Sequence, residues 1–381
     1  MNICIDAGMG LISREKGGIY YLIPQFLDAL YKVAPENQYI IYGYFIRKYH
    51  SRIKHIKEIL TSDKFHFRFL PLPSKIVEIT EQKIKFPLIE LFLSKNPISV
   101  YHGFCGGYLP CFKKIKTVYT VYDLSFEINP GFYQDKWYKY IKDSALRADI
   151  IITPSLSTKN DLIRVYDIPD NKIRVTHLGI NTSIFKPIEK EIARQFLKKH
   201  FPFEKYILTV ATSIKRKNLP FLLDVYKMLK EKKIEEKLVI IAGTDYLKND
   251  ILKISIDRKI EQDVFCLTEI PVENMPYFYA GAELFLFLSL YEGFGLPALE
   301  AMSCGCPVVV SNVSSLPEIV ADAGITVSPY DKEEACNKII EILNNDTIKS
   351  AMIKKGLERS KIFSWEKCAK ETLEVYKSLV T

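Results

Sequence analysis

The chain has 381 residues and is 48% hydrophobic and 26% charged, which excludes a disordered polymer, a collagen-like fibre and a small disulfide-stapled scaffold and suits two domains of ordinary size. Its formal net charge is +8. The whole excess lies in the first half, since residues 1–185 hold 25 Lys and Arg against 17 Asp and Glu while residues 186–381 hold 28 of each. In chain order, residues 2–7 form a buried apolar strand, followed by a glycine-rich stretch (Gly8, Gly10, Gly17, Gly18) and a helical pattern over 20–31. Strand patterns follow at 38–45, 66–70, 98–102, 116–121, 150–153 and 173–177. After a polar connection over 181–203 the rhythm restarts, with strands at 205–212, 237–242, 264–267, 284–290, 307–311 and 324–327. Helices alternate with them at 219–232, 246–259, 297–303 and 315–321, and three more close the chain near 332–345, 347–361 and 365–379. Strand–helix alternation of this kind predicts two doubly wound, Rossmann-like α/β domains of parallel sheet, facing each other across a cleft.

Eight cysteines contain no Cys-x-x-Cys pair, and six histidines form no metal-binding spacing. No zinc or redox site is expected, and scattered thiols fit a reducing cytosol. The opening residues Met-Asn-Ile-Cys-Ile-Asp carry an acid where a signal peptide has its apolar run. The longest apolar stretch, 284–290, is far short of the ~20 residues a membrane span needs. The expectation is a cytoplasmic protein, at most peripheral on the inner face of the cell membrane.

The most informative segment is Tyr291-Glu-Gly-Phe-Gly-Leu-Pro-Ala-Leu-Glu300. An apolar strand, a glycine turn and a helix opened by Pro297 make an anion site, because Gly293 and Gly295 admit close backbone approach and the helix start has free N–H groups. Glu292 and Glu300 flank it, and two carboxylates suit hydroxyl donors such as sugars. A second strand-to-helix turn carries Lys215, Arg216 and Lys217, whose charges can reach a diphosphate at the strand ends. Gly17 and Gly18 precede a helix and offer backbone amides to a phosphate. Gly8-Met-Gly10 lacks the third glycine of a dinucleotide fingerprint.

Within EGFGLPALEAMSCGCPVV the two glutamates stand as Glu-x7-Glu, with KRKN at 215–218, SSLPEI at 314–319, and TVYDLSFEINPGFY, ADIIITPSLSTKNDL and IRVTHLGINTSIFKP in order before them. The chain thereby resembles the retaining glycosyltransferases of family 4 (group 1), which have the GT-B fold, and within them bacterial surface-polysaccharide mannosyltransferases. The resemblance implies an N-terminal acceptor-side domain over 1–185, joined by a returning helix at 363–381, and a nucleotide-sugar donor domain over 186–362. It implies that Arg216 and Lys217 hold the donor diphosphate, that Glu300 binds ribose hydroxyls, and that Glu292 binds the transferred sugar. Amides around Gly293, Phe294, Gly295 and Leu296 would contact phosphate or sugar, and Gly17 and Gly18 would close on the phosphates. Catalysis would rest on Glu292, Lys217 and Arg216. His102, Tyr122 and Asp123 are candidate sugar or acceptor contacts, with Tyr122 standing where many relatives have histidine. No metal or other cofactor is implied, and no Asp-x-Asp occurs.

The implied reaction moves a hexose, mannose from GDP-mannose as the first choice, to a hydroxyl of a lipid-linked or oligosaccharide acceptor with retention of configuration. A UDP-sugar donor and a non-transferase enzyme of the same fold, such as a sugar-nucleotide epimerase, are the alternatives. No nucleic-acid recognition motif occurs. Residues 44–69 hold seven Lys and Arg, with Phe45, Tyr49, Ile53, Ile56 and Leu60 at helical spacing. That pattern reads either as a helix lying on an anionic membrane or as a core helix with a solvated basic side.

Overall fold

A computed structural model describes residues 1–6, 18–60, 64–84, 86–94, 97–104, 107–132, 140–199 and 201–381. It comprises two units, the first formed by Met1–Glu127, Tyr133–Gly179 and Trp365–Thr381, the second by Ile128–Phe132 and Ile180–Ser364.

The first unit runs β1 (Asn2–Asp6), α1 (Gly18–Val33), β2 (Gln38–Tyr44), α2 (Tyr49–Ile59) and β3 (His66–Leu70). Next come α3 (Ser74–Glu78), a π turn at Ile79–Lys83, α4 (Leu88–Leu93), β4 (Val100–Phe104) and β5 (Lys116–Thr120). It continues with α5 (Ser125–Ile128), α6 (Ile141–Arg147), β6 (Ile150–Thr153), α7 (Leu156–Tyr166) and β7 (Ile173–Val175). The strands form one parallel sheet in the order β3-β2-β1-β4-β5-β6-β7. β1 is apolar on both faces, with Ile3, Cys4 and Ile5 fully buried, as a strand covered on both sides requires.

The second unit contains α8 (Lys190–Leu197), β8 (Tyr206–Ala211), α9 (Leu219–Glu231), β9 (Lys237–Ala242), α10 (Asp245–Asp257), β10 (Val264–Leu267) and α11 (Met275–Gly281). It continues with β11 (Leu284–Phe287), α12 (Leu296–Ser303), β12 (Val308–Ser311), α13 (Leu316–Val320), β13 (Ile325–Val327), α14 (Lys332–Leu343) and α15 (Asp346–Ser360). Its parallel sheet has the order β10-β9-β8-β11-β12-β13. The order reverses beside β8, so the gap between the ends of β8 and β11 is the topological switch point, where such sheets bind ligands. The last helix, α16 (Trp365–Val380), belongs to the first unit: Cys368, Ala369, Leu373 and Tyr376 join its core, and the Trp365 indole donates to Gln25 Oε1 at 2.8 Å.

Two sequence expectations change, and one pattern left open between two readings finds its packing. The stretch 181–203 is not a bare connection, because α8 buries Ala193 and Leu197, and Leu197 sits against Gly281 so closely that a Cβ there would lie 2.9 Å from it. The boundaries fall after Gly179 and Ser364 rather than 185 and 362, since Ile180 pairs with Ser364 and donates its N–H to the Phe363 carbonyl at 3.1 Å, tying both crossing segments into the second unit. The open pattern is that of 44–69: α2 turns its apolar side inward, Ile56 being a core residue with Phe45 and Leu60 on either side of the helix, and Tyr49 and Ile53 packing against them. Its basic side is solvated, so this helix has no spare apolar face to lay on a membrane. Among the described residues no helix is long and apolar enough to cross one.

Candidate active site

The site grows from the two segments leaving the carboxyl ends of β8 and β11. After β8 the chain turns through Lys215, Arg216 and Lys217, and Asn218 takes a left-handed conformation (φ 53°) to open α9. After β11 it runs through Leu288–Gly295 before α12. One backbone bond joins the two loops, from the Leu290 N–H to the Arg216 carbonyl at 2.9 Å. Gly295 lies at φ 106° immediately before α12, and a Cβ there would come within 2.8 Å of Leu316 Cδ2. Both facts require glycine at this helix start. Pro297 sits in the first turn, where its missing N–H costs nothing.

Glu292 is the hub. Its Oε1 accepts from Lys217 Nζ at 2.7 Å and its Oε2 from Arg216 Nη1 at 2.8 Å, with side chains only 8%, 6% and 17% exposed for Glu292, Lys217 and Arg216. The Lys217 ammonium also lies 4.2 Å from the centroid of the Phe287 ring, a cation–π contact. Burial alone would raise the Glu292 pKa. The charges of Arg216 and Lys217 outweigh it and hold the carboxyl below its ordinary range. A third segment fixes the backbone: the Glu292 N–H donates to Ser314 Oγ at 3.0 Å, and the Ser315 hydroxyl lies 2.9 and 2.8 Å from the carbonyls of Glu292 and Phe294. The Phe294 side chain is buried edge-on against Phe363, so the face it leaves for a ligand is its peptide.

Glu300 sits on α12, half-buried. The buried phenol of Tyr279 donates to its Oε2 at 2.8 Å. Desolvation dominates here and pushes its pKa up to about 7, against smaller opposing effects of the Tyr279 bond and the Lys217 charge. Two glutamates eight positions apart thus differ in electrostatic state, one clamped as an anion and one poised to titrate near neutrality.

The second unit therefore brings Arg216, Lys217 and Glu292 into contact and sets Glu300, Gly293, Phe294, Gly295 and Leu296 on the adjoining turn and helix. Gly8, Gly10 and Gly17 lie outside the described residues, and Gly18 is the first residue of α1. In the first unit, Tyr122 and Asp123 follow the carboxyl end of β5. Asp123 Oδ1 accepts from the Ser125 N–H and hydroxyl at 3.1 and 2.8 Å. Tyr122 lies parallel to Phe104, ring centroids 6.4 Å apart. His102 is enclosed in the sheet at 1% exposure: Nδ1 meets the Tyr376 hydroxyl, Nε2 meets the Thr120 hydroxyl at 2.7 Å, and Phe104 stacks on its ring at 4.5 Å. Burial depresses its pKa to about 3, so the ring is neutral and both nitrogens are already occupied. Sequence reasoning missed Tyr279, Phe287 and the roles of Ser314 and Ser315. The last two stand in the SSLPEI stretch, but Tyr279 and Phe287 carry no local signal.

Comparison with known proteins adds the following. Residues 191–359 match the family model described as glycosyl transferases group 1, and residues 49–184 match that of glycosyltransferase family 4. O-antigen chain mannosyltransferase B of Escherichia coli is 33% identical over 285 residues, 74% of each chain. O-antigen chain mannosyltransferase RfbU of Salmonella typhimurium is 27% identical over 220 residues, covering 56% of this chain and 57% of its own. Among solved structures, sucrose-phosphate synthase from Thermosynechococcus elongatus superposes with a TM-score of 0.77 at 20% identity, covering 99% of this chain and 98% of that one. Anabaena HepE in complex with UDP and glucose gives 0.73 at 16% identity, covering 99% and 100%. At these identities the structural likeness speaks to the fold alone.

Proposed function

The chain belongs to the group 1 glycosyltransferases of family 4 and has their GT-B fold, and on that premise we propose that it transfers mannose from GDP-mannose to a glycan hydroxyl, with retention and without a metal ion. The observation that carries the reading is the clamp of Arg216 and Lys217 on Glu292 at the switch point of the second unit, beside Glu300 and the glycine turn of α12. A donor diphosphate entering there meets two cations already oriented. Their charge stabilises the departing nucleotide diphosphate, which is the anion that forms in the transition state. That supply of fixed positive charge is the support for metal independence. Each Glu292 oxygen keeps a second lone pair for a sugar hydroxyl when the cations turn toward phosphate. Glu300 faces the ribose diol, with Tyr279 holding one of its oxygens in place.

The choice of mannose rests on the two O-antigen mannosyltransferases among the relatives. A lipid-linked or oligosaccharide acceptor and a position at the inner face of the cell membrane belong to the same reading. No protein nucleophile is assigned: the donor phosphate oxygen takes the acceptor proton on the face where the new bond forms. The test is product analysis by proton NMR with GDP-mannose, an O-antigen-type oligosaccharide acceptor and EDTA. An α-linked mannoside, formed from the α-configured donor at full rate in EDTA, is expected. A β-linkage or dependence on added divalent metal overturns the reading.

A further inference from the structure

We propose that the first unit carries an interfacial surface for an anionic lipid bilayer, formed by the α3–α4 segment and the lysine loop before β5, and that this surface rather than α2 meets the membrane. Large apolar side chains are exposed in one short stretch: Ile76, Ile79, Ile84, Phe86 and Leu91 stand 48%, 48%, 66%, 47% and 59% exposed. Five such residues within one turn-rich segment are more than scattered surface apolarity. The opposite side of the segment is core, with Val77 and Ile89 fully buried, so the exposed side chains are held outward by a fixed backbone.

Two carboxylates weld this segment to a cationic loop. Glu81, fully buried, accepts the N–H of Ile89 at 2.8 Å through Oε1 and that of Cys111 at 2.9 Å through Oε2. Glu90 accepts the N–H groups of Lys113 and Lys114 at 3.0 and 2.9 Å. Both carboxylates are oriented by backbone N–H groups, and neither forms an ion pair with a lysine ammonium among the described residues. Lys113 and Lys114 are exposed and make no ion pair among the described residues. Lys116, also exposed, lies 3.9 Å from Asp149. They line a pocket of about 340 Å3 together with Asp149 and with Arg147, whose guanidinium is already held by Asp143 and by the carbonyls of Leu109 and Pro110, and the adjacent Leu146 is 48% exposed. Lys116 pairs in register with Val100 at the start of β4, at the amino ends of the strands, so this pocket is on the sheet edge opposite the one where ligands of such folds sit.

Apolar side chains that enter the acyl boundary, beside lysines at headgroup depth, fit an anionic bilayer. A second copy of this chain would have to offer a matching acidic patch, and the excess charge of this half is positive. The exposed ammonium groups of Lys113 and Lys114 would take the phosphodiester of an anionic phospholipid.

The experiment is flotation of the full chain with vesicles of phosphatidylglycerol and phosphatidylcholine, or of phosphatidylcholine alone. Three double variants are compared: Lys113→Ser with Lys114→Ser, Ile84→Ser with Leu91→Ser, and, on α2, Arg52→Ser with Lys57→Ser. Binding to anionic vesicles at low salt, absent with neutral ones, is expected. The lysine pair should lower the partition roughly 30-fold, at about fivefold per lysine, and the apolar pair by at least tenfold. The α2 pair should retain most of the binding. Unaltered thermal midpoints verify folding of each variant. Loss confined to the α2 variant, equal binding to neutral vesicles, or no flotation overturns the proposal. So does self-association in lipid-free sedimentation that the Ile84/Leu91 variant abolishes, which would assign the surface to a second copy. None of these readouts involves sugar transfer, so the result stands apart from the donor assignment.

Discussion

Glu300 is where residue chemistry is most exposed to experiment. Its pKa of about 7 arises mainly from burial. A carboxyl whose folded pKa exceeds its unfolded value of about 4.5 releases its proton first in the unfolded chain. The ligand-free protein therefore loses stability as pH rises from the mid-4 range to about 7, and the loss levels off above that. Glu300→Gln should raise the thermal midpoint at pH 8 and leave it unchanged at pH 4. The same ionisation governs ligand affinity in the opposite sense, because the carboxylate is the better acceptor for a ribose diol. Donor affinity should fall as pH drops below 7 in the wild type, and Glu300→Gln should weaken binding about 10–100-fold and flatten that profile. A wild-type donor affinity independent of pH between 6 and 8 would contradict this assignment.

At the scale of elements, the start of α12 depends on Gly295. An alanine there combines a left-handed backbone (φ 106°) with a Cβ only 2.8 Å from Leu316, at a cost of about 1–3 kcal/mol. Gly295→Ala should lower the thermal midpoint and, by shifting the turn that carries Glu292, weaken donor binding more than it weakens folding. Circular dichroism melts and donor titrations on one sample check both. The closing helix has a similar testable role. α16 supplies Tyr376 to His102 and four side chains to the first unit's core. Deleting residues 365–381 should leave the second unit resistant to limited proteolysis while the first is cut. Equal protection of both units would show that α16 is dispensable.

The parts of this fold legible in the sequence are those fixed locally. The Gly293–Gly295 turn, the Pro297 start and the two basic residues at 216 and 217 lie on short strand-to-helix passages, where sequence spacing is spatial spacing. Tyr279 meets Glu300 across 21 positions, and Ser314 meets Glu292 across 22. Such contacts exist only once β8, β11 and β12 are side by side. The spacing of α2 was ambiguous for another reason: one apolar stripe serves a membrane or a core equally well, and the neighbours decide, here Phe45, Ile56 and Leu60 in the interior. The polar helix α8 carries little sequence signal, because Ala193 and Leu197 are its only buried anchors. His102 shows the limit of residue type as a guide, since nothing local distinguishes a ligand-facing histidine from one closed between two hydroxyls.

For the whole molecule, the claim on which the rest depends is that the switch point of the second unit binds a nucleotide-diphosphate sugar through Lys217 and Glu300. A ligand at about 100 times its dissociation constant adds roughly 2.7 kcal/mol of stability, enough to move a thermal midpoint by several degrees. The most direct measurement is the midpoint of the wild type, Lys217→Ala and Glu300→Ala with GDP-mannose, UDP-glucose and UDP-N-acetylglucosamine in EDTA. The account predicts a shift of several degrees with GDP-mannose for the wild type and a clearly smaller one for either variant, since a 10–100-fold loss of affinity leaves about half to a seventh of that stabilisation. No shift with any nucleotide sugar, or shifts in both variants as large as that of the wild type, would contradict it.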